Sequence, residues 1–232
     1  AIFTALDAEV TAKVTPAERT PLNRYYRQSL VWPGHFSPDA NRSFVLMPAG
    51  KPRGGVVLLH GLTDSPYSVR HLAENYQQHG FVAVVPRLPG HGTAPGALTD
   101  VDWEAWLAAT RLAVREATRL TGNDLPLHLV GYSNGGALAM KYALDALDAP
   151  ALRQPEQIVL LSPMIGVTAF ARFAGFAGLP AMLPAFAKAA WLNISPEYNP
   201  YKYNSFPVNA ARQSWLLTRA LHEQINRDVH DH

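Results

Sequence analysis

The pentapeptide Gly131-Tyr132-Ser133-Asn134-Gly135 places one hydroxyl between two glycines. Ahead of it Leu127, Leu129 and Val130 form a short apolar run. Behind it Ala137, Leu138, Met140, Leu144 and Leu147 recur at helical spacing. A buried strand that ends in a serine turn and opens a helix presents that serine for attack on a carbonyl carbon. The flanking glycines let neighbouring backbone pass close to the turn. The helix start directs free N–H groups and a positive dipole end at the serine, where negative charge develops during acyl transfer. An ordinary glycine turn has the same five residues, so the strand before and the helix after are the independent conditions that favour chemistry.

Composition narrows the alternatives. The 232 residues are 48% hydrophobic and 16% charged, which suits one folded domain rather than a disordered chain. A net charge of +2 without any Lys/Arg run gives no basis for nucleic-acid binding. With no cysteine, disulfides, a thiol nucleophile and a thiolate metal site are excluded. No His/Asp/Glu cluster has metal-ligand spacing, so neither a metal nor any other cofactor is expected. No secretory signal is visible, but the chain starts at Ala1 rather than Met, so compartment stays open. The longest uncharged apolar stretch, between Arg172 and Lys188, is shorter than the roughly 20 residues of a membrane span and contains Pro180 and Pro184.

The elements that must position the serine are read in order. Residues 1 to about 42 are rich in turn formers and suggest a leading segment with one short helix. Strands are expected near 43–47, 56–59, 81–85, 127–131 and 158–161, the later ones as buried apolar runs. Ser65 and Pro66 are set as N-cap and first residue of a helix that Gly80 ends. A further helix starts from Asp100 or Asp102 and runs to about Leu120. Strands alternating with helices specify an α/β fold with a doubly wound, mostly parallel sheet. Three regions follow: residues 1–163 as the N-terminal part of the core, 164–206 as a cap or lid without a clear strand, and 207–232 as a terminal helix and polar tail. The cap region is dense in Phe170, Phe173, Phe176, Leu179, Met182, Leu183 and Phe186. It reads either as a set of short core helices or as a lid whose apolar face receives an acyl chain and touches a membrane peripherally.

Four segments together resemble the α/β-hydrolase fold, and more narrowly its bacterial monoacylglycerol lipase and carboxylesterase branch. They are His60-Gly61-Leu62-Thr63-Asp64-Ser65-Pro66, Pro86-Arg87-Leu88-Pro89-Gly90-His91-Gly92-Thr93, Asp102-Trp103 to Trp106, and Gly131-Tyr132-Ser133-Asn134-Gly135-Gly136. The resemblance covers roughly residues 54 to 165. It implies that Ser133 is the catalytic nucleophile and that the backbone N–H groups of Leu62 and Asn134 form the oxyanion hole. It implies a small-molecule or lipid ester as substrate. His60 and His91 are then expected to shape their loops rather than to take part in chemistry. Asn134 departs from the branch, which often has Met or another apolar residue there.

A serine needs a base, and the base an orienting carboxylate. In the fold that the chain resembles, acid and histidine follow the nucleophile at the ends of later strands. After Leu161 no apolar run leads to an Asp or to a loop histidine, and residues 157 to 196 contain no Asp or Glu. The expectation is therefore a hydrolase whose C-terminal strands, acid and base lie in another part of the protein or in a second chain. The alternative within the sequence pairs His222 or His230 as base with Asp228 or Asp231 as acid. Among functions, a serine hydrolase of carboxylic esters leads. An acyltransferase, a thioesterase, a serine peptidase and a non-catalytic binding protein on the same fold stay open.

Overall fold

The computed structural model describes residues 2–166 and 190–230. Five strands form the main sheet: β1 (Phe44–Leu46), β2 (Gly54–Leu59), β3 (Phe81–Val85), β4 (Leu127–Tyr132) and β5 (Gln157–Leu161), in the order β1-β3-β2-β4-β5. Only β1 runs antiparallel, pairing Val45 with Val84. The other pairings are parallel, with Val57 opposite Leu129 and Gly131 opposite Leu160. Among the described residues five α-helices accompany them: α1 (Ile2–Ala12), α2 (Arg70–Gln78), α3 (Trp103–Thr121), α4 (Asn134–Asp148) and α5 (Val208–His230).

The two-residue period of a strand divides β2 between two cores. Val56 and Leu58 pack with Val69 and Ala73 of the α2 side, whereas Val57 and Leu59 pack with Trp106 and Val114 of α3 and with Leu138 of α4. All six β2 residues are buried, as expected of a strand covered on both faces. The chain is thus doubly wound, with helices on both sides of the sheet.

Several local expectations are met by specific contacts. Asp102 caps α3 by accepting from the Ala105 N–H at 2.8 Å, and Gly80 ends α2 at φ 91°. Others need correction. Pro66 opens a 3-10 turn (Pro66–Val69) rather than the α-helix, and the Ser65 hydroxyl is buried without capping it. The region after residue 163 does contain strands, a short antiparallel pair of β6 (Trp191–Asn193) and β7 (Phe206–Pro207) with a register shift. Strand β5 is not fully buried: it has β4 on one side only among the described residues, and Ile158 is 38% exposed. The cap residues Phe170, Phe173, Leu179, Met182, Leu183 and Phe186 lie outside the described residues.

Candidate active site

Ser133 stands where β4 stops and α4 begins, with φ 54° and ψ −116°. A non-glycine residue in such a conformation costs about 1–3 kcal/mol and persists only where its surroundings hold it. Here three backbone hydrogen bonds do so. The Ser133 N–H donates to the Leu161 carbonyl at 3.0 Å, and its own carbonyl accepts from the N–H groups of Gly136 and Met164, each at 2.9 Å. The serine turn is therefore fastened to the end of β5 and to the chain that follows it.

The glycines around it have a steric reason. A Cβ on Gly131 would lie 2.3 Å from the Gly135 carbonyl oxygen, and one on Gly135 would lie 2.3 Å from that of Leu59. Both contacts are with backbone, which cannot move aside without displacing α4 or β2. Gly136 is closed off by the rigid ring of Pro163, whose Cβ would lie 2.7 Å away. Any side chain at these positions would push the helix start away from the ends of β2 and β4, and with it the serine.

Leu62 and Asn134 are buried, and neither backbone N–H finds an acceptor among the described residues. For Asn134 this follows from its place as the first residue of α4, where no carbonyl one turn earlier is available. The Asn134 side chain is also fully buried, and its Oδ1 accepts from the Ser214 hydroxyl at 3.1 Å. Ser214 belongs to α5, eighty residues away in sequence. The only signal for it was the Asn itself, since a buried amide needs a polar partner.

The two histidines of the loops hold backbone. His60 accepts from the Leu88 N–H at Nε2 (3.1 Å), which leaves Nδ1 to donate to the Gly61 carbonyl at 3.0 Å. Burial, reinforced by nearby His91, pushes the His60 pKa well below the usual histidine range. His91 lies 2.7 Å from the Leu62 carbonyl at Nε2 and 2.9 Å from that of Pro89 at Nδ1. Acceptors at both ring nitrogens favour the imidazolium, but complete burial outweighs them and lowers its pKa too. The Trp106 indole N–H donates to Pro89 at 3.0 Å, which ties the same loop to α3.

Tyr203 was not foreseen as part of this framework. Its backbone N–H donates to Thr63 at 2.7 Å, and its hydroxyl donates to Gly90 at 3.1 Å while accepting from the Thr93 N–H at 2.9 Å. One buried residue thus joins the two loops, the one after β2 through its backbone and the one after β3 through its side chain. Burial raises its phenol pKa to about 12, so the hydroxyl stays a donor throughout the ordinary pH range.

The other histidines with described side chains, His222 apart, make contacts away from the serine. His71 pairs with Glu74 and His79 bonds Asn75, both on α2, while His35 packs edge-on against Trp32. His128 points among Tyr76 and Phe81. His222 is exposed on α5. Helix α5 runs alongside α4 in the same direction, because Ser214 meets Asn134 at one end and Gln224 meets Asp148 at the other. His222, eight residues past Ser214, therefore sits about 12 Å further along α5 than the level of the serine turn, at 1.5 Å per residue, and its side chain is exposed.

Residues 50–213 match the Hydrolase_4 family, described as serine aminopeptidase, S33, and the chain belongs to that family. A thermostable monoacylglycerol lipase from Bacillus sp. (strain H-257) is 36% identical over 90 residues, 38% of this chain and 34% of that relative. The phospholipase YtpA of Bacillus subtilis (strain 168) is 26% identical over 129 residues, 51% of this chain and 44% of that relative. The chain thus matches less than half the length of either curated relative. Among solved structures, a metagenome-derived lipolytic enzyme of the LipS and LipT pair superposes with a TM-score of 0.64 at 22% identity, over 80% of this chain and 71% of that one. The fold is that of the α/β-hydrolases, and the chain resembles their monoacylglycerol lipase and esterase members.

Proposed function

We propose that the protein hydrolyses carboxylic esters through an acyl-enzyme on Ser133, acting on a small-molecule or lipid substrate. The observation that carries this reading is the strained backbone of Ser133 at the head of α4, held by bonds to Leu161, Gly136 and Met164. Such strain has no packing purpose at a half-buried serine, whereas it is what exposes a nucleophile above a sheet. In the first step Ser133 Oγ bonds to the ester carbonyl carbon and gives its proton to a base. The carbonyl electron pair moves to oxygen, which accepts from the N–H groups of Leu62 and Asn134. Collapse of the intermediate expels the alcohol, protonated by the same base, and leaves the acyl group on Ser133. Water then repeats the sequence and releases the acid.

The base and its carboxylate belong, in this reading, to a part of the protein beyond these residues or to a second chain. Support comes from the described histidines, each engaged or distant from Ser133, and from the edge of β5, where a further parallel strand would pair. The apolar residues Phe170, Phe173, Leu179, Met182, Leu183 and Phe186 are assigned to the acyl chain, on the strength of their density in the sequence. The relatives named as lipases favour a lipid ester.

The family description favours one second reading, cleavage of an N-terminal aminoacyl bond by the same serine. The test is turnover of p-nitrophenyl butyrate and of an aminoacyl p-nitroanilide by the full-length protein and its Ser133→Ala variant. Ester turnover that falls by at least about 1,000-fold in the variant supports the reading. Preferential release of p-nitroaniline assigns a peptidase instead, and turnover indifferent to Ser133 removes both.

A further inference from the structure

A cavity of about 460 Å³ lies between the leading segment and the loop after β3, apart from the serine turn. Its wall carries four guanidinium groups, from Arg24, Arg27, Arg42 and Arg87, against the carboxylates of Asp7 and Asp39, a formal excess of two positive charges. We propose that this cavity binds a phosphate monoester with a small organic body.

The charge balance favours an anion, and its chemistry favours phosphate. Asp39 is already engaged, accepting from Arg42 Nε at 2.7 Å, and Asp7 lies 3.9 Å from the same guanidinium. Arg27 is exposed and makes no ion pair with a described residue. Arg24 is buried to 2% exposure, held by the Lys202 carbonyl at 3.4 Å and by the faces of Tyr25 and Tyr203. The Arg24 charge acts on Asp7 as well, so that one carboxylate is shared between Arg24 and Arg42 and leaves positive charge for an anion to balance. A phosphate dianion matches the excess of two charges and accepts forked hydrogen bonds from guanidinium groups, which a neutral ester does not.

Residues of the lining also carry buried polar atoms that have no partner among the described residues. Arg24 Nε, the Tyr25 hydroxyl, the Thr93 hydroxyl and Asn41 Oδ1 are buried without a hydrogen-bond partner. The first three can donate to phosphate oxygens, and Asn41 Oδ1 can accept from a ligand hydroxyl. Trp32, Phe36 and the Tyr25 ring add apolar surface for the organic part. The volume exceeds what a bare phosphate fills, which is why the ligand carries a body.

The cavity is also joined to the oxyanion loop. Thr93 on its wall donates its N–H to Tyr203, which in turn bonds Thr63, and the adjacent His91 bonds Leu62. An occupant would therefore stiffen the loop that carries Leu62.

The test is calorimetric titration of the full-length protein with glycerol 3-phosphate, inorganic phosphate and acetate, each against wild type, Arg27→Glu and Lys51→Glu. Arg27 and Lys51 are both exposed, so neither variant challenges folding, and Lys51 lies outside the cavity. The expected result is one glycerol 3-phosphate per chain, bound at least tenfold more weakly by Arg27→Glu and unchanged by Lys51→Glu and Ser133→Ala. Tighter binding of glycerol 3-phosphate than of inorganic phosphate supports a phosphorylated organic molecule, and equal affinity overturns the organic body by assigning phosphate alone. Absence of binding, equal weakening by Lys51→Glu, or acetate bound as tightly as phosphate would overturn the proposal. Because Ser133→Ala retains the site, its failure is distinguishable from failure of the esterase reading.

Discussion

The His91 ring reaches the Leu62 carbonyl with Nε2 over 2.7 Å, joining the loop after β3 to the loop after β2. Leu62 is one of the two N–H groups assigned to the oxyanion, so His91 is a positioning residue for it. His91→Ala should lower kcat by up to about 100-fold with little change in KM, since a small displacement of a catalytic group costs that much. Active-site titration separates the outcomes. If the variant loses titratable sites while each remaining site keeps its full kcat, His91 only supports folding.

Acid sensitivity follows from the same two histidines. His60 and His91 are both held below the usual histidine pKa by burial. Once unfolded, each regains a pKa near 6.5, so below that value the unfolded chain binds more protons than the folded one. Stability is therefore complete above about pH 6.5 and falls as pH drops toward the folded pKa values. The slope approaches about 1.4 kcal/mol per pH unit for each histidine. Thermal midpoints measured from pH 8 to 5 should show this fall, and His60→Asn should reduce it. A midpoint flat over that range would contradict the burial argument.

The bond between Ser214 and Asn134 links α5 to the start of α4. Ser214→Ala strands a buried amide oxygen and should cost about 1–3 kcal/mol. The same substitution in an Asn134→Leu background should cost much less, because both polar groups are then gone. Equal costs in the two backgrounds, read from denaturant unfolding, would mean that the bond contributes nothing.

The sequence disclosed the strands and the serine turn because both depend on short-range patterns: apolar runs bounded by turns, and glycines around one serine. The steric reason for Gly131, approach of the Gly135 backbone within the turn, is local and legible for that reason, whereas Gly135 is required by the Leu59 carbonyl of β2, far away in sequence. Tyr203 and Ser214 were not, since each acts on a loop or helix more than a hundred or about eighty residues away. Nothing in their own neighbourhood marks them. The partial exposure of β5 is not legible in its residues, because an apolar run looks the same at the centre of a sheet and at its edge. Ser65 does not cap the α-helix because Pro66 begins a tighter 3-10 turn, and its hydroxyl is buried without a partner among the described residues.

The acyl assignment of the cap is tested by substrate length. Phe173→Asp or Leu183→Asp should weaken kcat/KM for long-chain esters more than for acetate esters, because each buried CH₂ is worth about 0.8 kcal/mol. A uniform loss across the series would make these residues structural.

The central claim is that Ser133 is a nucleophile, and covalent labelling tests it most directly. The full-length protein is treated with a fluorophosphonate, digested, and the modified peptide identified by mass spectrometry. The account predicts one adduct per chain, on the peptide containing Ser133, absent from Ser133→Ala and formed more slowly in His91→Ala. A folded full-length protein that stays unlabelled, or carries its adduct on another residue, would contradict it.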